Sequence, residues 1–159
     1  MKHTAYAFPY GTIVLEYEND VLYKLRCTPE EKQITSELMR DRSEFSDGVY
    51  RQVQEFLAGK RRNFDVKYCL NGTDFQMKVW AALRQIPYGE TRSYKQIAEA
   101  LGQPKAVRAV GMANNKNPLM LLIPCHRVIG SDGSLVGYAG GLEMKQALLA
   151  AEQRSIGSM

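Results

Sequence analysis

Apolar and polar positions alternate along residues 12–17 and again along 21–25, with Glu18, Asn19 and Asp20 between the two runs. A period of two on either side of turn-forming residues predicts a β-hairpin. From Asp47 the period lengthens. Val49, Val53, Phe56 and Leu57 share one helical face, Asp47 is the candidate N-cap and Gly59 the C-terminal stop. Lys60, Arg61 and Arg62 follow, where cations oppose the negative pole of the helix dipole. Residues 64–70 alternate once more and predict another strand, so the first half reads as a small α+β unit. Asn71 and Gly72 form a turn that divides residues 1–71 from 72–159.

The second half opens on two helices with matching starts. Thr73 with Gln76, and Ser93 with Gln96, have the capping-box spacing in which each side chain satisfies an orphan backbone donor. The first helix carries Phe75, Val79, Ala82, Leu83 and Ile86 on one stripe and ends at Pro87. The second is short and stops at Gly102. Pro104 suits the first turn of a third helix, which runs through Val107 and Val110 toward Asn114. Two short helices across a glycine-containing turn, with basic residues on the second, make a helix-turn-helix pattern. Residues 119–123 are an apolar run that predicts a buried strand, and Ser131, Asp132 and Gly133 predict a turn. After a glycine-rich stretch at 137–141, a last helix places Met144, Leu148 and Ala151 on one face, with Glu152 near its end.

Composition narrows the class. The chain has 159 residues, 45% hydrophobic and 24% charged, which excludes disordered, collagenous and coiled-coil proteins. No apolar run approaches the ~20 residues of a membrane helix. No apolar stretch of ~7 residues leads to a small-residue cleavage site near Lys2, so the expected location is the cytoplasm and no membrane partner is expected. The net charge of +4 is uneven: the first 70 residues balance, and the excess lies beyond them. Between Phe75 and Gly130 stand Lys78, Arg84, Arg92, Lys95, Lys105, Arg108, Lys116 and Arg127 against only Glu90 and Glu99. Such a field suits a polyanion, most commonly nucleic acid. No glycine-rich phosphate loop precedes a lysine, so nucleotide hydrolysis has no support.

Three cysteines at wide spacing (Cys27, Cys69 and Cys125) argue for reduced thiols rather than a disulfide framework. With His3 and His126 they make no zinc-finger spacing, and no metal is expected. Cys125 is followed by His126 and Arg127, and a thiol becomes a good nucleophile when a base or cation promotes its ionisation. Neighbours on a strand point apart, so a Cys125–His126 partnership needs a turn or a bridging water, and Pro124 favours a turn. A histidine base needs a carboxylate to fix its tautomer. Spacing leaves Asp74, Glu90, Glu99, Asp132, Glu143 and Glu152 all open. A Cys-His-Arg segment by itself also suits a hydrolase or a thiol redox protein.

Ile123-Pro124-Cys125-His126-Arg127-Val128-Ile129 resembles the active-site signature of the 6-O-alkylguanine-DNA alkyltransferases, the methylated-DNA–protein-cysteine methyltransferases. Gly72-Thr73-Asp74-Phe75-Gln76, Val79-Trp80, Ile86-Pro87-Tyr88-Gly89-Glu90-Thr91, Ser93-Tyr94, Arg108-Ala109-Val110-Gly111, Asn117-Pro118 and Gly137-Tyr138-Ala139-Gly140-Gly141 resemble family motifs in order and spacing. The likeness is continuous over residues 72–152 and only architectural before them.

It implies a small ribonuclease-H-like sheet-and-helix domain followed by a mainly helical, winged helix-turn-helix domain. The implied activity is direct-reversal DNA repair: an alkyl group passes irreversibly from the 6-oxygen of guanine to the Cys125 thiolate, once per molecule. The implied roles are Cys125 as acceptor, His126 as its base through a water, Glu152 as the carboxylate orienting His126, and Tyr94 as proton donor to the leaving guanine. Arg108 would enter the base stack in place of the rotated nucleotide, with Ser93, Lys95, Ala106, Gly111, Asn115 and Ser131 also against DNA. Asn117, Val128, Tyr138 and Ala139 would line the guanine pocket, Asn117 also pinning the turn before the active-site loop. The implied partner is double-stranded DNA containing alkylated guanine, the implied state a monomer, and the chemistry requires no cofactor. Two departures stand out. Ala139 replaces a serine of some relatives, and Cys27, Cys69 and His3 do not reproduce a zinc site that some members hold. Lesion sensors on the same scaffold lack the acceptor cysteine, and Cys125 argues against that reading.

Overall fold

A computed structural model describes residues 1–157 of the chain. Its first half is an antiparallel meander of β1 (Lys2–Phe8), β2 (Gly11–Glu18) and β3 (Val21–Thr28), followed by helices α1 (Ser36–Arg40) and α2 (Glu44–Leu57). The predicted hairpin is β2–β3. Asn19 and Asp20 both take positive φ (51° and 59°), the two-residue turn whose twist matches that of the strands it joins. Ile13, Leu15 and Tyr17 of β2 alternate into the core with Leu22, Leu25 and Cys27 of β3. Helix α2 lays Val49, Val53 and Phe56 against them. Strand β1 and helix α1 are not announced by the hydrophobic pattern: β1 buries the short run Thr4-Ala5-Tyr6, which opens on a polar residue, and α1 buries nothing.

The second half is mainly helical: α3 (Asp74–Arg84), α4 (Tyr94–Ala100), α5 (Val107–Asn115) and α6 (Leu142–Gly157), with the two-residue strands β4 (Arg92–Ser93) and β5 (Val128–Ile129) paired in parallel. A single turn of 3₁₀ helix, Cys125–Arg127, precedes β5. Both predicted capping boxes are present, at Thr73/Gln76 and Ser93/Gln96. Trp80 of α3 donates its indole N–H to Ala113 O at 2.9 Å and ties α3 to the end of α5. Gly72 makes room for that ring, since a Cβ there would lie 2.5 Å from it.

Four expectations are corrected. The N-cap of α2 is Ser43, in a reciprocal pair with Ser46, while Asp47 sits in the first turn and accepts the Tyr6 hydroxyl at 2.6 Å. Pro104 belongs to the turn before α5, where the Ala106 N–H is already bonded to Gln103 O and the helix starts at Val107. Residues 64–70 make one parallel bridge, Leu22 with Tyr68, and residues 119–123 another, Leu25 with Leu119. The two segments divide the free edge of β3 between them, so neither extends into a strand. Residues 119–123 then turn back on themselves: Ile123 N–H bonds Leu119 O, and buried Leu121 takes φ 74°. An apolar run of this length is compatible with a strand or with a buried turn, and here it is the turn that carries the chain to Cys125.

Candidate active site

The site is built where three segments meet: the 3₁₀ turn, the buried face of α6, and the loop between α3 and β4. Pro124 (ψ 64°) breaks extended geometry, and the turn that follows buries Cys125, His126 and Arg127 together. On α6 the inward positions are Met144, Lys145, Leu148 and Glu152. Lys145, Leu148 and Glu152 fall at i, i+3 and i+7 and share one face, so the predicted apolar stripe runs beside a polar one.

Among the six carboxylates left open by spacing, Glu152 is the one that meets His126. Its Oε2 lies 2.5 Å from His126 Nε2 and 3.1 Å from an Arg127 terminal nitrogen, and its Oε1 accepts from Arg127 Nε and from Gly89 N, both at 2.9 Å. Arg127 completes its set with Ile86 O at 2.9 Å. Histidine and glutamate are 0% and 2% exposed, so this is a buried network with every strong charge paired. Burial opposes ionisation of Glu152, but the His126 contact, Arg127 and the Gly89 N–H outweigh it and hold the carboxyl below its ordinary range. Burial pushes His126 down, with Glu152 opposing, and leaves the ring neutral at pH 7. A neutral ring donating from Nε2 to Glu152 keeps its lone pair on Nδ1, and Nδ1 is buried with no partner. Phe56 of α2 and Tyr88 wall the network, Phe56 edge-on to His126 and the Tyr88 ring between Arg62 and Arg127.

Cys125 is 3% exposed. Burial raises its thiol, while the Asn117 amide and the charges of Arg26 and Lys145 act to lower it. Asn117 pins the turn as expected: its Nδ2 donates to Ile123 O at 2.8 Å and its Oδ1 accepts from Leu119 N at 2.9 Å. Tyr94, raised by burial and then by Cys125, stays a neutral phenol and donates to Val136 O at 3.1 Å. Lys145 donates to the same carbonyl at 3.0 Å. The Tyr138 hydroxyl is buried without a partner, and Val128 is fully buried while Ala139 is exposed.

The residues expected at DNA fall on a different surface. Arg108 and Asn115 lie on α5, both exposed, and Ala106 is its N-cap residue. Gly111 faces the Tyr94 ring, where an added Cβ would sit 3.9 Å away, so α5 and the tyrosine are in register. Ser93 is occupied as the N-cap of α4, Lys95 is exposed in its first turn, and Ser131 stands apart in the turn closed by Gly130 and Ser134. Two participants carry no motif that sequence reading could use: Arg26 on β3 and Lys145 on α6. Among the described residues no cluster of three metal-ligating side chains exists.

A buried thiol beside a His–Glu–Arg network, set under a helix-rich basic half, defines a protein that does chemistry through cysteine on a polyanion. The family model for 6-O-methylguanine DNA methyltransferase, DNA binding domain, matches residues 74–154. The methylated-DNA–protein-cysteine methyltransferase of Methanosarcina barkeri is 46% identical over 150 residues, 93% of this chain and 94% of the relative. The crystal structure of Mycobacterium tuberculosis OGT in complex with DNA superposes with TM-score 0.81 at 41% identity, covering 98% of this chain and 94% of that one. An O6-methylguanine DNA methyltransferase structure from Methanococcus jannaschii follows at TM-score 0.73 and 27% identity, covering 94% and 93%. The chain belongs to the 6-O-alkylguanine-DNA alkyltransferase family and is a direct-reversal DNA repair methyltransferase that acts once per molecule.

Proposed function

We propose that Cys125 is the alkyl acceptor, activated by His126 Nδ1 through one water, with Glu152 and Arg127 fixing the histidine. The observation that carries this is the contact of Nε2 with Glu152, which leaves Nδ1, on the residue next to the thiol, buried and without a partner among the described residues. The thiol proton passes to Nδ1, sulfur bonds the alkyl carbon, and the carbon–oxygen bond breaks with its electron pair going to guanine. Tyr94 donates to the guanine ring as that charge arrives, and the proton taken up by Nδ1 returns through water to the phenolate. The proton given up by the thiol equals the one guanine needs, so no metal or cofactor enters the balance. Tyr94 must leave Val136 O to reach the base, and Lys145 keeps that carbonyl satisfied.

Residues α4 and α5 serve as a helix-turn-helix, with Gly102 (φ 71°) in the turn and the 130–134 turn after β5 as the wing. Exposed Arg108 fills the stack when the alkylated guanine of duplex DNA rotates out toward Cys125. Ser93, Lys95, Ala106, Gly111, Asn115 and Ser131 lie along the backbone contact, and Asn117, Val128, Tyr138 and Ala139 form the base pocket. The protein works as a cytoplasmic monomer, in two domains divided at 71/72, the first ribonuclease-H-like. Arg108→Ala tests the finger: repair of a lesion in duplex falls at least tenfold while reaction with free alkylguanine base stays within about twofold. Equal losses in both assays overturn the assignment.

A further inference from the structure

We infer that Arg26, on strand β3 of the sheet half, is a positioning residue of the alkyl transfer: it holds the 115–117 turn under the thiol and presents a positive charge toward Cys125. The inference rests on Cys125 being the acceptor. Strand β3 is docked on the segment that leads to the site, with Leu25 N–H bonded to Pro118 O at 2.8 Å and Met120 N–H bonded to Leu25 O at 2.9 Å. Both rungs are on Leu25, and the next residue, Arg26, donates from Nη1 to Asn117 O at 2.5 Å and to Asn115 O at 3.4 Å. These carbonyls are at the C-terminal end of α5, where a cation is favoured. The same Asn117 holds Ile123 O and Leu119 N with its side chain, and its amide acts to lower the Cys125 thiol. One guanidinium therefore braces the residue that braces the nucleophile.

The charge has a second consequence. The groups facing the thiol are Arg26 and Cys27 from β3, Tyr94 from α4, Tyr138 from the loop, His126 and Arg127 from the turn, and Lys145 and Glu152 from α6. Glu152 is neutralised within the network by Arg127. Arg26 and Lys145 are the cations that act on Cys125, and only Arg26 comes from the sheet half. Its charge acts to lower Cys125, Cys27 and Tyr138 alike, from a guanidinium fixed on Asn117 O.

A capping role alone and an electrostatic role differ in pH dependence. Removing a nearby cation raises a thiol by about one unit, which cuts the thiolate about tenfold below its midpoint. The more basic thiolate is the better nucleophile and returns about threefold. The net is a rate about threefold lower at acid pH that crosses the wild-type curve and exceeds it at alkaline pH.

The test is single-turnover methylation of Cys125 by saturating duplex bearing 6-O-methylguanine, read as mass gain on tryptic peptide 117–127 from pH 6 to 10. Arg26→Gln keeps a donor and loses the charge; Arg26→Lys keeps both. Crossing curves for Arg26→Gln and a restored midpoint for Arg26→Lys are expected. Parallel curves, whether lowered or unchanged, overturn the electrostatic role. If Arg26→Gln does not fold, citrulline is placed at 26 by ligation at Cys27, keeping the shape and an NH₂ donor without the charge. Failure of the wild type itself to methylate Cys125 refutes the proposed function instead.

Discussion

Glu152→Gln keeps the outline of the carboxylate and removes its charge, and the structure sets what that costs. Four donors converge on Glu152: His126 Nε2, two nitrogens of Arg127, and Gly89 N. An amide has one oxygen to offer and must turn its NH₂ either toward Arg127 Nε and Gly89 N or toward His126 Nε2 and the Arg127 terminal nitrogen. In either orientation it opposes one nitrogen of Arg127 and leaves a buried guanidinium without a counter-charge, a loss of about 3–5 kcal/mol. Facing His126, it donates to Nε2, which moves the ring proton to Nδ1 and removes the base on the side of Cys125. Either choice lowers the transfer rate, by about 10²-fold for loss of a positioned base. Urea unfolding and single-turnover alkylation read the two effects separately. The double variant Glu152→Gln/Arg127→Met sharpens the reasoning: with both charges gone, most of the stability returns while the rate stays low. A Glu152→Gln protein within about 1 kcal/mol of wild type, alkylating at an unchanged rate, refutes the network as described.

The remaining predictions concern pH and single contacts. Glu152 is held below its ordinary range, so its contribution is present at neutral pH and lost as pH falls through its folded value; burial keeps His126 neutral and acts with the same sign below about pH 6.5. The stability gap between wild type and Glu152→Gln therefore narrows from pH 7 to pH 3 in urea titrations, and a constant gap contradicts the assignment. Gly89→Ala meets φ 86° and Ile156 at 2.8 Å, and thermal unfolding should show a loss of at least about 1–2 kcal/mol. Asn117→Ala leaves Leu119 N unpaired in the core and Ile123 O with the Cys125 N–H alone, costing about 1–3 kcal/mol in urea and slowing alkylation more than tenfold; wild-type behaviour in both would remove its pinning role.

Much of this was legible in the residues. The β2–β3 hairpin and both capping boxes follow from spacing because they are local: two turn residues between alternating runs, and a hydroxyl three positions before a glutamine. The Cys-His pair is legible from spacing as a candidate, but the partner of His126 is not, and Glu152 is named in advance only by the family resemblance. Glu152 lies 26 residues on in the chain, and nothing in its neighbours separates it from five other carboxylates until α6 is packed against the turn. Arg26 and Lys145 were invisible for the same reason, since a lone cation on a strand or helix gives no signal of the thiol it faces. Residues 64–70 and 119–123 misled because strand propensity does not reveal how much free edge a sheet has left to offer.

The central claim is that Cys125 takes the alkyl group, and intact-mass and tryptic-peptide analysis after incubation with duplex DNA carrying one 6-O-methylguanine tests it directly. A stoichiometric gain of one methylene on peptide 117–127, absent in Cys125→Ala, is the predicted result. Tight lesion binding with no mass gain, or a gain on Cys27 or Cys69, contradicts it.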